Sequence, residues 1–323
     1  MKRVATQMLG LVIGLAAIPM AYAQDWQPTR AVRWVVPYVP GGATDLVTRA
    51  VTEPVTAALG QQFVVDNRGG ASGTIAFDLV ARAAPDGYTI TTAADSITIL
   101  PFAFRKLSFD PRSSFAPITN MTMQPMSIAV PASSSAKSIG DLIEQSKHRP
   151  GGLSYGTSGV GTSQHLCGEL LKKVTGIDMT HVAYKGSGQT MIDLVSGQLQ
   201  LALVGTSTVI QHHRAGRARI IATTAMKRVP ALPNVPTLAE SGLPQFDIYH
   251  WIGLFGPAKL PRDIVARLNA EVGRALAHPT VKERLTNQGL ELMPTTPEQL
   301  GQQVRDGMQR WGQLIADARI ELR

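Results

Sequence analysis

Short all-apolar runs alternate along the chain with longer stretches in which apolar residues recur every three or four positions. Ala31 to Val36 reads as a buried strand. Pro37 and Pro40 stop it, Gly41-Gly42 turn the chain, and a helix opens near Ala43 and runs through Leu46 to Leu59 before Gly60 ends it. Phe63-Val64-Val65 predicts a second strand, and Asn67 to Gly73 a glycine-rich loop opening a helix through Ile75, Leu79 and Val80. Asp86-Gly87 turns into a third strand, Tyr88 to Thr92, and Ala93-Ala94-Asp95-Ser96 forms another loop at a strand end. Strand and helix alternating at this spacing predict a parallel sheet with helices on both faces. In such sheets ligands collect at the carboxyl ends of the strands, where these loops fall.

From Phe115 to Val130 the pattern is one long extended stretch, long enough to carry the chain from one domain into the next. Then the alternation resumes. Ile139 to Lys147 reads as a helix, Gly152 to Tyr155 as a strand, and Gly156 to Ser163 as a loop opening the helix Gln164 to Val174. Met179 to Tyr184 is a strand, and Lys185-Gly186-Ser187-Gly188 opens a helix through Met191, Leu194 and Val195. Leu199 to Val204 is a strand, Gly205 to Thr208 opens another helix, and Arg219 to Thr224 returns as a strand. The proline-rich run Pro230 to Pro236 reads as a second crossover. Phe246 to Phe255, with Trp251, is a last strand; Arg262 to Leu276 and Pro297 to Ile315 are closing helices. Two crossovers predict a discontinuous first domain, 24–124 with 233–323, and an inserted second domain, 125–232. The rims of two such domains face each other as a clamshell.

The leader changes where the fold begins. Lys2 and Arg3, the apolar stretch Met8 to Met20 and the small-x-small site Ala21-Tyr22-Ala23 read as a signal peptide. That stretch is short of the roughly 20 residues a membrane span needs. The expectation is a soluble periplasmic protein after cleavage near Ala23. The formal net charge is +8, with Lys2 and Arg3 among the cations, and no Lys/Arg block stands out. This suits solubility and attraction of anions and argues only weakly for nucleic acid, so no nucleic-acid partner is expected. Cys167 is the only cysteine, so the cores must hold the fold without an intramolecular disulfide. Its apolar helical setting predicts simple packing.

A glycine-rich turn from a strand into a helix leaves backbone N–H groups free at the positive end of the helix dipole, which is an anion site. Alone, Gly41-Gly42 reads first as a tight turn, with Asp45 capping the first helical turn. Recurrence of the design along the chain favours a site. Asp45 orients a water, accepts from a ligand donor, or supports the helix start. Asp95 suits an ammonium or a protonated group, or is a solvated loop residue. Arg68 and Lys185 pair a second carboxylate or are solvated. Tyr38 offers an aromatic wall; Trp251, on a strand, is expected in the core. Catalysis lacks its signatures. Neither the Ser72 loop nor the Ser158 loop reads Gly-x-Ser-x-Gly. The seven histidines make no His-Glu-x-x-His or other ligand spacing. No dinucleotide fingerprint or Walker lysine follows the loops, so neither metal nor cofactor is expected.

Several motifs together carry a resemblance: Pro40-Gly41-Gly42 with Asp45, Asn67 to Gly73, Ala84-Pro85-Asp86-Gly87-Tyr88-Thr89, Tyr155 to Ser163, His181 to Gly188, Trp251 with Gly253, and Pro257 to Pro261. With these the chain resembles the Bug/TctC family, periplasmic receptors of tripartite tricarboxylate transporters. The resemblance implies a two-domain α/β periplasmic-binding-protein (Venus flytrap) fold, each domain a mainly parallel sheet flanked by helices. It also implies a ligand carboxylate held by loop backbone and ordered waters between the domains. Two places depart from the family pattern: Ala183 before Tyr184-Lys185-Gly186, and an acid in Asp95-Ser96-Ile97-Thr98, which bears on the distal pocket. On this reading one carboxylate meets the N–H groups around Gly41, Gly42 and Ala43 and the hydroxyls of Thr44 and Ser72. The other domain offers Ser158, Thr162, Ser163 and Ser187, while Tyr38, Asp45, Asp95 and Ser96 complete the lining. The implied ligand is a dicarboxylate, an aromatic carboxylate or an amino-acid-like acid, and the implied partners are membrane permease subunits. A receptor for a membrane sensor, or a secreted hydrolase, are the alternatives.

Overall fold

The computed structural model describes residues 26–322. The expected signal peptide, residues 1–23, lies outside the described residues. Among the described residues no helix is long and apolar enough to cross a membrane.

The first lobe is built on a parallel trio. β1 (Val32–Val36) lies between β2 (Phe63–Asn67) and β3 (Thr89–Ala94), with Val32 level with Phe63 and Arg33 with Thr89. Alternate residues of β1 serve two cores, as a two-residue period requires. Val32 and Trp34 join a cluster with Val47, Val51 and Val55 of α1 (Ala43–Leu59) and with Leu268 of α8 (Arg262–Ala277). Val35 joins Phe77 of α2 (Thr74–Ala81) and Leu300 of α10 (Pro297–Asp317) on the opposite face. Each such side chain removed from water contributes about 1.5–3 kcal/mol. Gly60, in the left-handed region at φ +66°, closes α1 by donating its N–H to Thr56 O.

The second lobe repeats the plan. β5 (Leu153–Thr157) lies between β6 (Met179–Ala183) and β7 (Leu201–Gly205), all parallel. α5 (Ser163–Thr175), α6 (Ser187–Val195) and α7 (Thr206–Arg214) follow these strands in turn, and α4 (Ile139–Lys147) precedes them. Cys167 is fully buried in this core, where loss of solvation pushes its thiol up to about 12.

Antiparallel strands join the lobes. β4 (Phe115–Pro131) pairs with β9 (Tyr249–Pro257) over Phe115 to Pro125, then with β7 and β8 (Ala218–Thr223) from Met126 onward. β9 in turn borders β3, so the two lobes share one continuous path of strands. Val229, Leu232 and Val235 around the proline-rich run pack beneath the second lobe, and Phe246 fills its other core. The last long strand therefore starts at Tyr249 rather than Phe246. Three short elements complete the chain: α3 (Leu100–Ala103), α9 (Pro279–Thr286) and β10 (Glu291–Leu292). α9 follows α8 after a single residue because Pro279 starts a new helix at its first position.

Candidate functional site

Every rim loop lies at the carboxyl end of a parallel strand. After β1, Gly41 takes φ +91° and Gly42 caps α1 without a side chain. The helical ladder begins with Leu46 N–H to Gly42 O at 3.0 Å, so the N–H groups of Ala43 and Thr44 have no acceptor within the helix. Asp45 braces this loop from inside. Its carboxylate accepts from Gly41 N–H at 3.1 Å, Arg49 Nε at 2.9 Å and Asn67 Nδ2 at 3.0 Å. Asn67 Nδ2 also donates to Tyr38 O at 3.0 Å. The Tyr38 hydroxyl shares a 2.8 Å hydrogen bond with Ser96 Oγ, and burial pushes its ionisation well above the ordinary phenol range. Asp95 and Ser96 occupy the 3-10 turn that follows β3, with Asp95 Oδ1 2.6 Å from His250 Nδ1.

The second rim holds itself differently. Ser158 donates both its N–H and its hydroxyl to Gln164 Oε1, at 2.9 and 2.7 Å. Thr162 caps α5: its hydroxyl accepts from His165 N–H at 3.2 Å and donates to Gly159 O at 2.8 Å. Ser163 Oγ is buried with no partner among the described residues. Beneath the loop, His165 Nδ1 accepts from Gly161 N–H at 3.3 Å, and its ring stacks on His181 with centroids 3.9 Å apart. His181 Nε2 lies 2.7 Å from Thr157 Oγ1. Burial lowers His165 to about 4 against the opposing pull of Glu169. Burial first, then the neighbouring charges of His165 and Lys172, lower His181 to about 3. Ser187 opens α6 behind Gly186, again with no side-chain cap.

The two rims meet. Val39 N–H donates to Lys185 O at 3.3 Å. A methyl group on Gly188 would lie 2.5 Å from Pro40 O, and one on Gly159 2.7 Å from Ser72 Oγ. Gly42 faces Ser187 at ordinary contact distance, about where a Cβ would be 3.9 Å away. The loops around 41–42, 72, 159 and 187–188 thus approach one another where the rims meet, and all the expected site residues except Gly41 are buried. Arg68 is held at the surface by Asp66, at 3.0 Å, and Trp251 is packed in the first lobe's core. Sequence reasoning missed Asn67, His250, Gln124 and Ser207. Gln124 Oε1 accepts from Ser207 N–H at 2.7 Å, across the join between the lobes. Gln124 stands among Thr119, Asn120, Thr122 and Ser127 in β4, so nothing local set it apart.

The model of the family described as tripartite tricarboxylate transporter family receptor matches residues 47–320. The chain belongs to that family. It is therefore a member of a family of periplasmic solute-binding receptors. A receptor-family relative from Pseudomonas sp. (strain P51), the UPF0065 protein in the tcbD-tcbE intergenic region, is 37% identical over 297 residues, 92% of this chain and 88% of that protein. Among solved structures, R. palustris Rpa4515 with adipate is 34% identical with a TM-score of 0.88, covering 92% of this chain and 99% of the other. MatC from Rhodopseudomonas palustris, with bound malate, is 33% identical with a TM-score of 0.85, covering 89% and 99%. The two-lobed α/β architecture expected of the family is the one observed.

Proposed function

We propose that this receptor captures a small carboxylate between its lobes in the periplasm and delivers it to the membrane permease subunits of a tripartite tricarboxylate-type transporter, without chemical turnover. The observation that supports the reading is the start of α1 without a side-chain cap, where Gly42 lies in contact range of Ser187 on the other rim. Malate and adipate in the related structures support the ligand class. In this reading the carboxylate takes first-turn N–H groups from α1 and the hydroxyls of Ser72, Ser163 and Ser187. Ser158 and Thr162, whose hydroxyl protons go to Gln164 Oε1 and Gly159 O, shape the second rim rather than donate to the carboxylate, and Tyr38 and Ser96 wall the crevice. Asp45 acts by positioning, since its oxygens are engaged by Gly41, Arg49 and Asn67. Charge-assisted bonds of roughly 1.5–3 kcal/mol each, made only with both lobes engaged, bias the pair of lobes toward closure. Secretion with cleavage near Ala23 completes the proposal, and the N-terminus of the exported protein would read Gln24.

A thermal-shift screen over small carboxylic acids tests the ligand class, since a ligand of the folded state raises the melting temperature. Gly42→Val should then abolish binding in calorimetry. Unchanged affinity in that variant would remove the α1 loop from the site.

A further inference from the structure

Beside the meeting of the rims lies a feature that a plain dicarboxylate does not explain. Asp95 is 1% exposed, and only one of its carboxylate oxygens is used. Oδ1 is taken by His250; because a carboxylate can only accept, His250 Nδ1 carries the proton of that bond. Oδ2 is buried and has no partner among the described residues. Asp95 begins the turn at the carboxyl end of β3, beside Ser96, whose hydroxyl is tied to Tyr38. Tyr38 Cβ in turn lies 3.3 Å from where a Cβ on Gly186 of the opposite rim would be, so the turn is joined through the Tyr38 side chain to the meeting of the rims. His250 pairs in register with Gln124, and Gln124 bonds Ser207 at the carboxyl end of β7. Gln124 Nε2 and Ser207 Oγ are likewise buried without partners. A line of polar atoms without partners among the described residues therefore runs from one lobe to the other, with the Asp95 carboxylate oxygen at one end.

We propose that Asp95, oriented by His250, is the specificity residue of this crevice and accepts a hydrogen bond from a ligand ammonium, so that the carboxylates captured are amino acids. This rests on the carboxylate reading above. A dry carboxylate oxygen is costly unless a donor reaches it, and an uncompensated buried charge costs more. A second ligand carboxylate would add repulsion, an alkyl end would leave Oδ2 dry, and a hydroxyl would supply the bond without the charge. An ammonium supplies both. Together with the helix start at Ala43 the crevice then presents opposite electrostatic ends to a zwitterion.

The test is calorimetry on the full mature chain with matched sets: aspartate, malate and succinate; glutamate and glutarate; leucine and 4-methylpentanoate. At least one amino acid should bind about tenfold or more tighter than its des-amino partner. In Asp95→Asn, checked for folding by thermal melting, that affinity should fall roughly 10- to 100-fold. The des-amino partner should bind that variant as well as or better than wild type. Des-amino or hydroxy acids binding wild type as tightly as the amino acids would overturn the assignment even if Asp95→Asn does not fold. Binding of neither kind would overturn the carboxylate reading and this one with it.

Discussion

The two rims of the crevice come from the same strand-loop-helix design yet are held in different ways. The first is tied by charge. Asp45 gathers Gly41, Arg49 and Asn67, and no side chain covers the start of α1. The second is tied by neutral groups. Thr162 and Gln164 spend their polar atoms on the loop itself, and a stacked pair of uncharged imidazoles lies beneath it. The contrast separates what is available from what is committed: open main-chain donors on one side, and on the other the 158–163 loop, which satisfies itself except for Ser163 Oγ, unpartnered among the described residues.

The severest way to break the comparison is to stop the rims meeting. Gly188→Ala places a methyl 2.5 Å from Pro40 O, at a backbone conformation alanine accepts. If the lobes part and close as proposed, affinity measured by calorimetry should fall more than about 100-fold while the unliganded protein stays within about 0.5 kcal/mol of wild type. Wild-type affinity would show that these rims do not set the bound geometry.

Acid should act on the second rim. His165 and His181 are lowered to about 4 and about 3 in the folded chain, against an ordinary 6.5. Below about pH 6.5 the unfolded chain therefore binds protons that the folded one does not. Stability contributed by these groups is fully present above that value and falls as the pH drops toward 4 and 3, by up to about 1.4 kcal/mol per pH unit for each imidazole. Urea unfolding from pH 7 to pH 4 reads this slope, and His181→Gln should flatten it. The first rim answers to a different change. Asp45→Ala strands Gly41 N–H, leaves Asn67 Nδ2 with Tyr38 O alone, and should cost about 1–3 kcal/mol in urea unfolding, with weaker ligand binding alongside. Thr162→Ala should be mildest, about 1 kcal/mol for a lost helix cap, with Thr162→Ser restoring it. A Thr162→Ala loss equal to that of Asp45→Ala would erase the distinction between the rims.

Much of this was legible in the chain. The alternating periods located the parallel trio of each lobe, and Gly60 and Gly176 mark helix ends where left-handed backbone is needed. The rim loops were readable because proline and glycine punctuate strand ends locally. Partnerships were not. Asp95 meets His250 across 155 positions of sequence, and no local pattern encodes such a pair. Asp45 read as open between ligand contact and helix support because its partner Asn67 belongs to the next strand. Phe246 read as strand because an apolar residue looks the same whether it extends a sheet or fills the neighbouring core.

α10 is a strap as well as a closing helix. Leu300 and Val304 are embedded in the first lobe, while Trp311 and, just beyond the helix, Leu322 are embedded in the second. Any swing of one lobe against the other must flex or peel this rod in addition to bending two strands. The indole near its far end is thereby placed to report such a swing through its own emission, with no label attached.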